Sequence, residues 1–133
     1  MKRLPIILLI AFCLLAFLTI SCGGNGGNPP SDTINNFYRA IEDEQYSEAK
    51  NYLTASALEE FTSDMFDLGV RGMNAAGGLK DIHIIDTEYH ENEAGEYTEW
   101  AEVNYRVTFN NGSYDEAAHT LVVEDGKWKI ADF

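Results

Sequence analysis

Val122 to Phe133 reads VVEDGKWKIADF, and its middle two residues decide how the chain is built. Asp125-Gly126 between runs of alternating apolar residues has the composition of a two-residue type I′ hairpin loop, which needs left-handed backbone angles at both positions. Such a loop sets Glu124 opposite Lys127, Val123 opposite Trp128, Leu121 opposite Ile130 and His119 opposite Asp132. Side chains alternate between the two faces of a strand. Ala117, His119, Leu121 and Val123 therefore share a face with Trp128 and Ile130.

The turn before it follows by elimination. A two-residue Asn111-Gly112 loop would put Val103 and Tyr105 on the face opposite Leu121 and split the core, since a one-residue slip moves every side chain of a strand to the other face. A three-residue loop, Asn110 to Gly112 with the glycine left-handed, keeps the apolar residues together. Tyr105 then faces Ala117, Val103 faces His119, Ala101 faces Leu121, and Arg106 faces Glu116 on the other side. Asn111-Gly112-Ser113 also fits a glycosylation sequon, but turn chemistry accounts for it.

Working back toward the start, the period of two continues. Tyr97–Phe109 reads as a long strand with Ala101, Val103, Tyr105, Val107 and Phe109 on one face, and Asp81–His90 as the strand before it. Ahead of Gly77-Gly78 the period becomes helical. Ile34, Phe37, Tyr38 and Ile41 make one stripe, with Ser31 or Asp32 as cap and the acidic run Glu42–Glu44 as its end. Tyr46, Ala49 and Leu53 predict a short second helix. Leu58, Phe61, Met65 and Leu68 predict a third, which starts after Thr54 or Ser56, the latter at capping-box spacing from Glu59. Three helices followed by a four-stranded antiparallel meander make an α+β chain, with the helices lying across one face of a bent sheet.

The N-terminal end speaks of location. Met1, Lys2 and Arg3 precede an apolar run from Leu4 to Ile20, the pattern of an export signal or of a membrane anchor. The run stops at Thr19-Ile20-Ser21-Cys22, which resembles a bacterial lipobox apart from Thr19, where leucine is usual. On that reading residues 1–21 are a signal peptide, Cys22 carries lipid, and residues 22–31 form a flexible Gly/Asn/Pro tether to a domain at 32–133. Two or more acyl chains anchor stably where one does not. The alternatives are an uncleaved anchor or plain secretion. The only other cysteine is Cys13, so the domain has no disulfide and no thiolate metal site.

The full chain carries 9 basic and 22 acidic residues, a net charge of −13. Removal of Lys2 and Arg3 leaves seven basic residues against the same 22 acidic ones, a net of −15. Such a surface repels nucleic-acid phosphates and anionic lipid, so lipid rather than charge would hold the protein at a membrane. Gly23-Gly24 after the cysteine lacks the aspartate linked to inner-membrane retention, which favours the outer membrane in a Gram-negative cell. His83, His90 and His119 lack ligand spacing and no HExxH is present; the Glu91–Glu96 loop lacks a calcium-loop pattern. The sequence implies no metal and no cofactor.

NNFYRAIEDEQYSEAKNYL (Asn35–Leu53), followed by a helix, a meander and the VVEDGKWKIADF close, resembles the small bacterial lipoproteins of the NTF2-like (cystatin-like) superfamily, and within it a lipoprotein domain family of unknown function. The likeness runs from Asp32 to Phe133 and rests on structural motifs. It implies a cone whose sheet curls around a helix and often leaves a pocket. Some members are enzymes, such as ketosteroid isomerase and polyketide cyclases, and others only bind.

On the face shared by the last three strands, Tyr105, His119 and Asp132, with Glu99 near the rim, are the polar groups of an apolar floor, the composition of a ligand pocket. The leading expectation is a lipid-anchored, non-catalytic envelope module that binds a small apolar ligand or a protein partner there, with no catalytic residue assigned. An isomerase- or cyclase-like enzyme is the alternative, with Asp132 orienting His119 and Tyr105 donating to an oxyanion. A structural subunit is the third. The opposite sheet face carries Trp100, Val122 and Phe133, more apolar surface than solvent requires, and is the candidate face of a homodimer.

Overall fold

The computed structural model describes residues 27–91 and 99–132. The apolar leader, residues 22–26 of the tether with Cys22 among them, and Phe133 lie outside the described residues. Among the described residues four helices precede the strands: α1 (Pro30–Glu42), α2 (Tyr46–Lys50), α3 (Ala55–Glu60) and α4 (Ser63–Ala75). Strands β1 (Leu79–Glu91), β2 (Glu99–Phe109), β3 (Tyr114–Glu124) and β4 (Lys127–Ile130) follow. They form one antiparallel sheet in the order β1-β2-β3-β4. The α+β meander is as expected, with four helices in place of three.

The extra helix comes from a break in the expected third one. Phe61 is extended at φ −80°, ψ 90°, and the next residue, Thr62, caps α4 by accepting the Met65 N–H at 3.3 Å. The break turns the helical face. Ala57, Phe61, Phe66 and Met73 are buried, while Leu58, Met65 and Leu68 of the expected stripe face solvent. A single 3.6-residue period across Leu58–Leu68 cannot register a two-residue interruption. The cap of α3 is Thr54, whose hydroxyl accepts the Ala57 N–H at 3.1 Å.

Helix α1 begins two residues before the expected domain boundary. Pro30 occupies its first turn and no side chain caps it, so neither Ser31 nor Asp32 does; proline at that position lacks only an N–H that would go unbonded anyway. Ile34, Phe37 and Ile41 are buried, as their spacing requires. The helix ends on Glu44, left-handed at φ 57°, with Glu44 N–H bonded to Ile41 O and Gln45 N–H to Ala40 O. Helix α4 ends in the same way at Gly77 and Gly78, whose N–H groups reach Asn74 O and Met73 O. Both are Schellman closures. Glu42 then turns back to accept the Leu79 N–H at 3.0 Å and ties α1 to β1.

The hairpin registers follow turn chemistry. Asp125 and Gly126 both have positive φ, 55° and 74°, and the β3–β4 pairs are Glu124 with Lys127, Val123 with Trp128 and Leu121 with Ile130. Gly112 is left-handed at φ 88°, and Tyr105, Val103 and Ala101 face Ala117, His119 and Leu121. The three-residue loop keeps Val103 and Leu121 on one face, and both are fully buried.

Two register shifts in β1, at Lys80 and Ile85, are the further feature of the sheet. A bulge bends its strand and raises local twist. The inner row of β1 passes from Ile82 and Ile84 to Thr87 and Tyr89, and Ile85 is turned out to solvent. The bend helps bring the Tyr89 ring to 6.0 Å from Trp128 on β4, closing one end of the concave face. The core lies between that face and the helices: Ile34, Phe37, Leu53, Val103, Leu121 and Ile130 belong to one cluster.

Candidate functional site

The concave face brings Tyr105, His119 and Asp132 together. His119 Nδ1 lies 3.2 Å from Asp132 Oδ1, and the same carboxylate oxygen accepts the Thr120 N–H at 2.9 Å. The His119 ring stacks on Tyr105 at 5.7 Å, tilted by 29°. A fourth member was hidden in the helical stripe: the Tyr38 hydroxyl on α1 is 2.8 Å from that of Tyr105. Tyr38 was legible as core, but nothing local marks its hydroxyl as the partner of one 67 residues away.

That pair determines what the floor can do. Tyr105 is fully buried. Burial first, then the neighbouring Tyr38 and the Asp132 charge, push its phenol far above the usual tyrosine range. Tyr38 is also raised, by burial and by Asp115, with the Tyr105 hydrogen bond acting in the opposite sense. Both phenols stay neutral and bonded to each other, so the Tyr105 O–H is neither open to a substrate nor poised to ionise. His119 is largely covered, while Asp132 is half-exposed. Glu99 shares their face by alternation but sits at the other end of β2, paired with Glu91. The register separates it from Val103, the partner of His119, by four residues, roughly 13 Å along a strand.

Open polar groups converge elsewhere. A cleft of about 700 Å³ lies among the first turns of α1, helix α2 and the β3–β4 turn. Asp32 and Asn36 come from α1, Glu48 from α2, Asn51 and Tyr52 from just after it, and Lys127 from β4. Its walls are joined by hydrogen bonds that involve the backbone: Thr33 Oγ1 donates to Trp128 O at 3.0 Å, Ile130 N–H to Tyr52 O at 2.8 Å, and Thr54 N–H to Ile130 O at 3.0 Å. Within it the Tyr52 hydroxyl donates to Glu48 at 2.6 Å. Burial, then the bond to Glu48 and its charge, push the Tyr52 phenol up to about 12. The sequence signal for this cleft was slight: polar residues at the start of a helix and around Asn51-Tyr52 read as solvated surface.

A second cleft, of about 470 Å³, lies over Asn104, Glu116 and Ala118, which the register turns to the outer face. Tyr105 borders it without exposed surface, and neither cleft is lined by His119. On the same outer face Trp100 is half-buried and stacks on His90 at 3.9 Å. Val122, opposite Trp100, is only 1% exposed, so it adds almost nothing to the open area of the candidate dimer face. Among the described residues no helix is long and apolar enough to cross a membrane.

Residues 20–131 match the profile of a domain of unknown function, DUF4878. The chain belongs to that family. Its fold is similar to the crystal structure of a Campylobacter jejuni protein provisionally described as an NTF2-like transpeptidase. The TM-score is 0.60 at 19% identity, covering 78% of this chain and 98% of the other. At that identity the likeness is one of fold: the domain has an NTF2-like α+β fold. No curated protein matches the chain.

Proposed function

We propose that this DUF4878 protein is a lipid-anchored, non-catalytic binding module of the bacterial envelope, held at the membrane by acyl chains on Cys22 and taking a small ligand or a protein partner on its NTF2-like scaffold. The observation that carries the non-catalytic reading is the Tyr38–Tyr105 hydroxyl pair, 2.8 Å apart with Tyr105 fully buried. An oxyanion donor must point at the place where charge develops, and this one is engaged inside the core. What supports the anchored reading is the sequence TISC at the end of an apolar run, five residues before Gly27.

The test is metabolic labelling of the full chain with an alkyne analogue of palmitate in a bacterial host. Label on the wild type that is lost in Cys22→Ala is the expected result. An unlabelled wild type, or label that persists on Cys22→Ala, overturns the anchor. For the binding half, native mass spectrometry of the detergent-solubilised protein is expected to show a retained mass. Turnover of a ketosteroid or polyketide substrate that His119→Ala abolishes overturns the non-catalytic reading.

A further inference from the structure

We propose that the cleft between α1, α2 and the β3–β4 turn is a binding site for a neutral, hydroxyl-rich ligand, an oligosaccharide. This rests on the binding-module reading above and names the site and the ligand chemistry. Four observations lead to it. The first is size: about 700 Å³ is within the range of pockets that enclose a small ligand, roughly 300–1,000 Å³. The second is charge. The lining holds two carboxylates, Asp32 and Glu48, and two ammonium groups, Lys127 and Lys129, a local balance in a chain whose net charge is −13. A ligand with a strong charge of either sign would meet as much repulsion as attraction there, while a neutral one meets donors and acceptors in equal supply.

The third is the kind of polar group. Asn28, Asn36 and Asn51 line the same cleft. A side-chain amide both donates and accepts, as a sugar hydroxyl does, so a row of hydroxyls can be matched without leaving either partner unsatisfied. Tyr52, half-buried against Glu48, adds an aromatic wall with a polar tip, suited to a ligand whose ring faces are C–H and whose rim is O–H. Glu48 is the fixed point of the set, holding the Tyr52 hydroxyl and the Asn51 amide.

The fourth is readiness. The walls are fixed by the Thr33, Tyr52 and Thr54 bonds to β4, so little ordering is needed when a ligand arrives. The side chains of Asn28, Asp32, Asn36, Lys127 and Lys129 make no hydrogen bond or ion pair with any described residue. A cleft with rigid walls and uncommitted polar groups differs from the concave face, where hydroxyls, imidazole and carboxylate are bonded to each other.

The experiment is an amide NMR titration of the full chain in detergent micelles with three probes: triacetylchitotriose, cellotriose and maltotriose. The expected result is saturable shifts at Asn36, Asn51 and Tyr52 for at least one probe below about 10 mM, the weak end of specific binding. Asn36→Ala, an exposed helix position where alanine is well tolerated, is expected to weaken that binding at least fivefold, about 1 kcal/mol, with unchanged thermal unfolding. Absence of saturable shifts with all three sugars overturns the proposal, as does Asn36→Ala binding as tightly as wild type. Tighter saturation of the same residues by inorganic phosphate or by spermidine overturns the neutral-ligand claim. A negative sugar titration beside palmitate labelling at Cys22 and a retained mass removes the oligosaccharide and leaves the anchored binding module standing.

Discussion

The concave floor and the α1–α2–β4 cleft carry similar polar residues in opposite states. On the floor Tyr38 meets Tyr105, and Asp132 meets both His119 and the Thr120 backbone. In the cleft the backbone supplies the rigidity, through the Thr33–Trp128, Tyr52–Ile130 and Thr54–Ile130 bonds, and many side chains are left over. Buried polar groups must be bonded, because an unpaired one costs about 1–3 kcal/mol. A residue that satisfies its neighbour inside the core is thereby withdrawn from any ligand. Burial therefore makes the Tyr38–Tyr105 pair a structural element, while the cleft keeps concavity together with exposed polar side chains.

The comparison breaks first, and most severely, at Tyr105. Tyr105→Ala removes a fully buried aromatic side chain and is expected to cost about 3–5 kcal/mol in urea unfolding. Tyr105→Phe keeps the ring and leaves the Tyr38 hydroxyl without its partner, for about 1–3 kcal/mol. A Phe variant as stable as wild type would mean that the hydroxyl pair does not hold the floor.

The wall of the cleft comes next. Thr33→Val removes the hydroxyl that donates to Trp128 O across 95 residues. A loss of about 1–2 kcal/mol is expected, with faster amide exchange at Lys129 and Ile130. Unchanged exchange there would show that the wall is held by packing alone.

Alkaline pH separates the tyrosines. The phenols of Tyr38, Tyr52 and Tyr105 are raised in the folded state, that of Tyr52 to about 12, above the unfolded value of about 10. The folded protein therefore binds more protons than the unfolded one above about pH 10, so the contribution is fully present below that pH and falls as pH rises through the folded values. Spectrophotometric titration of the phenols is expected to show a late-ionising group, with Tyr52→Phe removing part of it. Ionisation of all seven tyrosines in one step near their ordinary value, before unfolding, would contradict the buried pair.

The smallest effect belongs to the cleft's side chains. Asn36→Ala is expected to change stability by less than about 0.5 kcal/mol, as exposed substitutions do. A larger loss in thermal unfolding would place Asn36 in the scaffold rather than in a recognition surface.

The sequence alone determined the registers of β2, β3 and β4. Asp125-Gly126 and Asn110-Asn111-Gly112 are local rules: left-handed residues at set positions fix loop length, loop length fixes register, and alternation then assigns every residue from Ala101 to Ile130 to a face. The proximity of Tyr105, His119 and Asp132 came with that register. Only the tertiary structure decided the break of the helix at Phe61, the two bulges in β1, the sealing of Tyr105 by Tyr38 and the cleft at the start of α1. Each of these depends on which distant surface a segment meets. Phe61 leaves the helix as its ring packs between Phe37 and Phe66, and Thr33 is fixed by a carbonyl on the last strand. A turn is encoded by the residues that make it, whereas a seal or a cleft exists only between elements that folding has brought together.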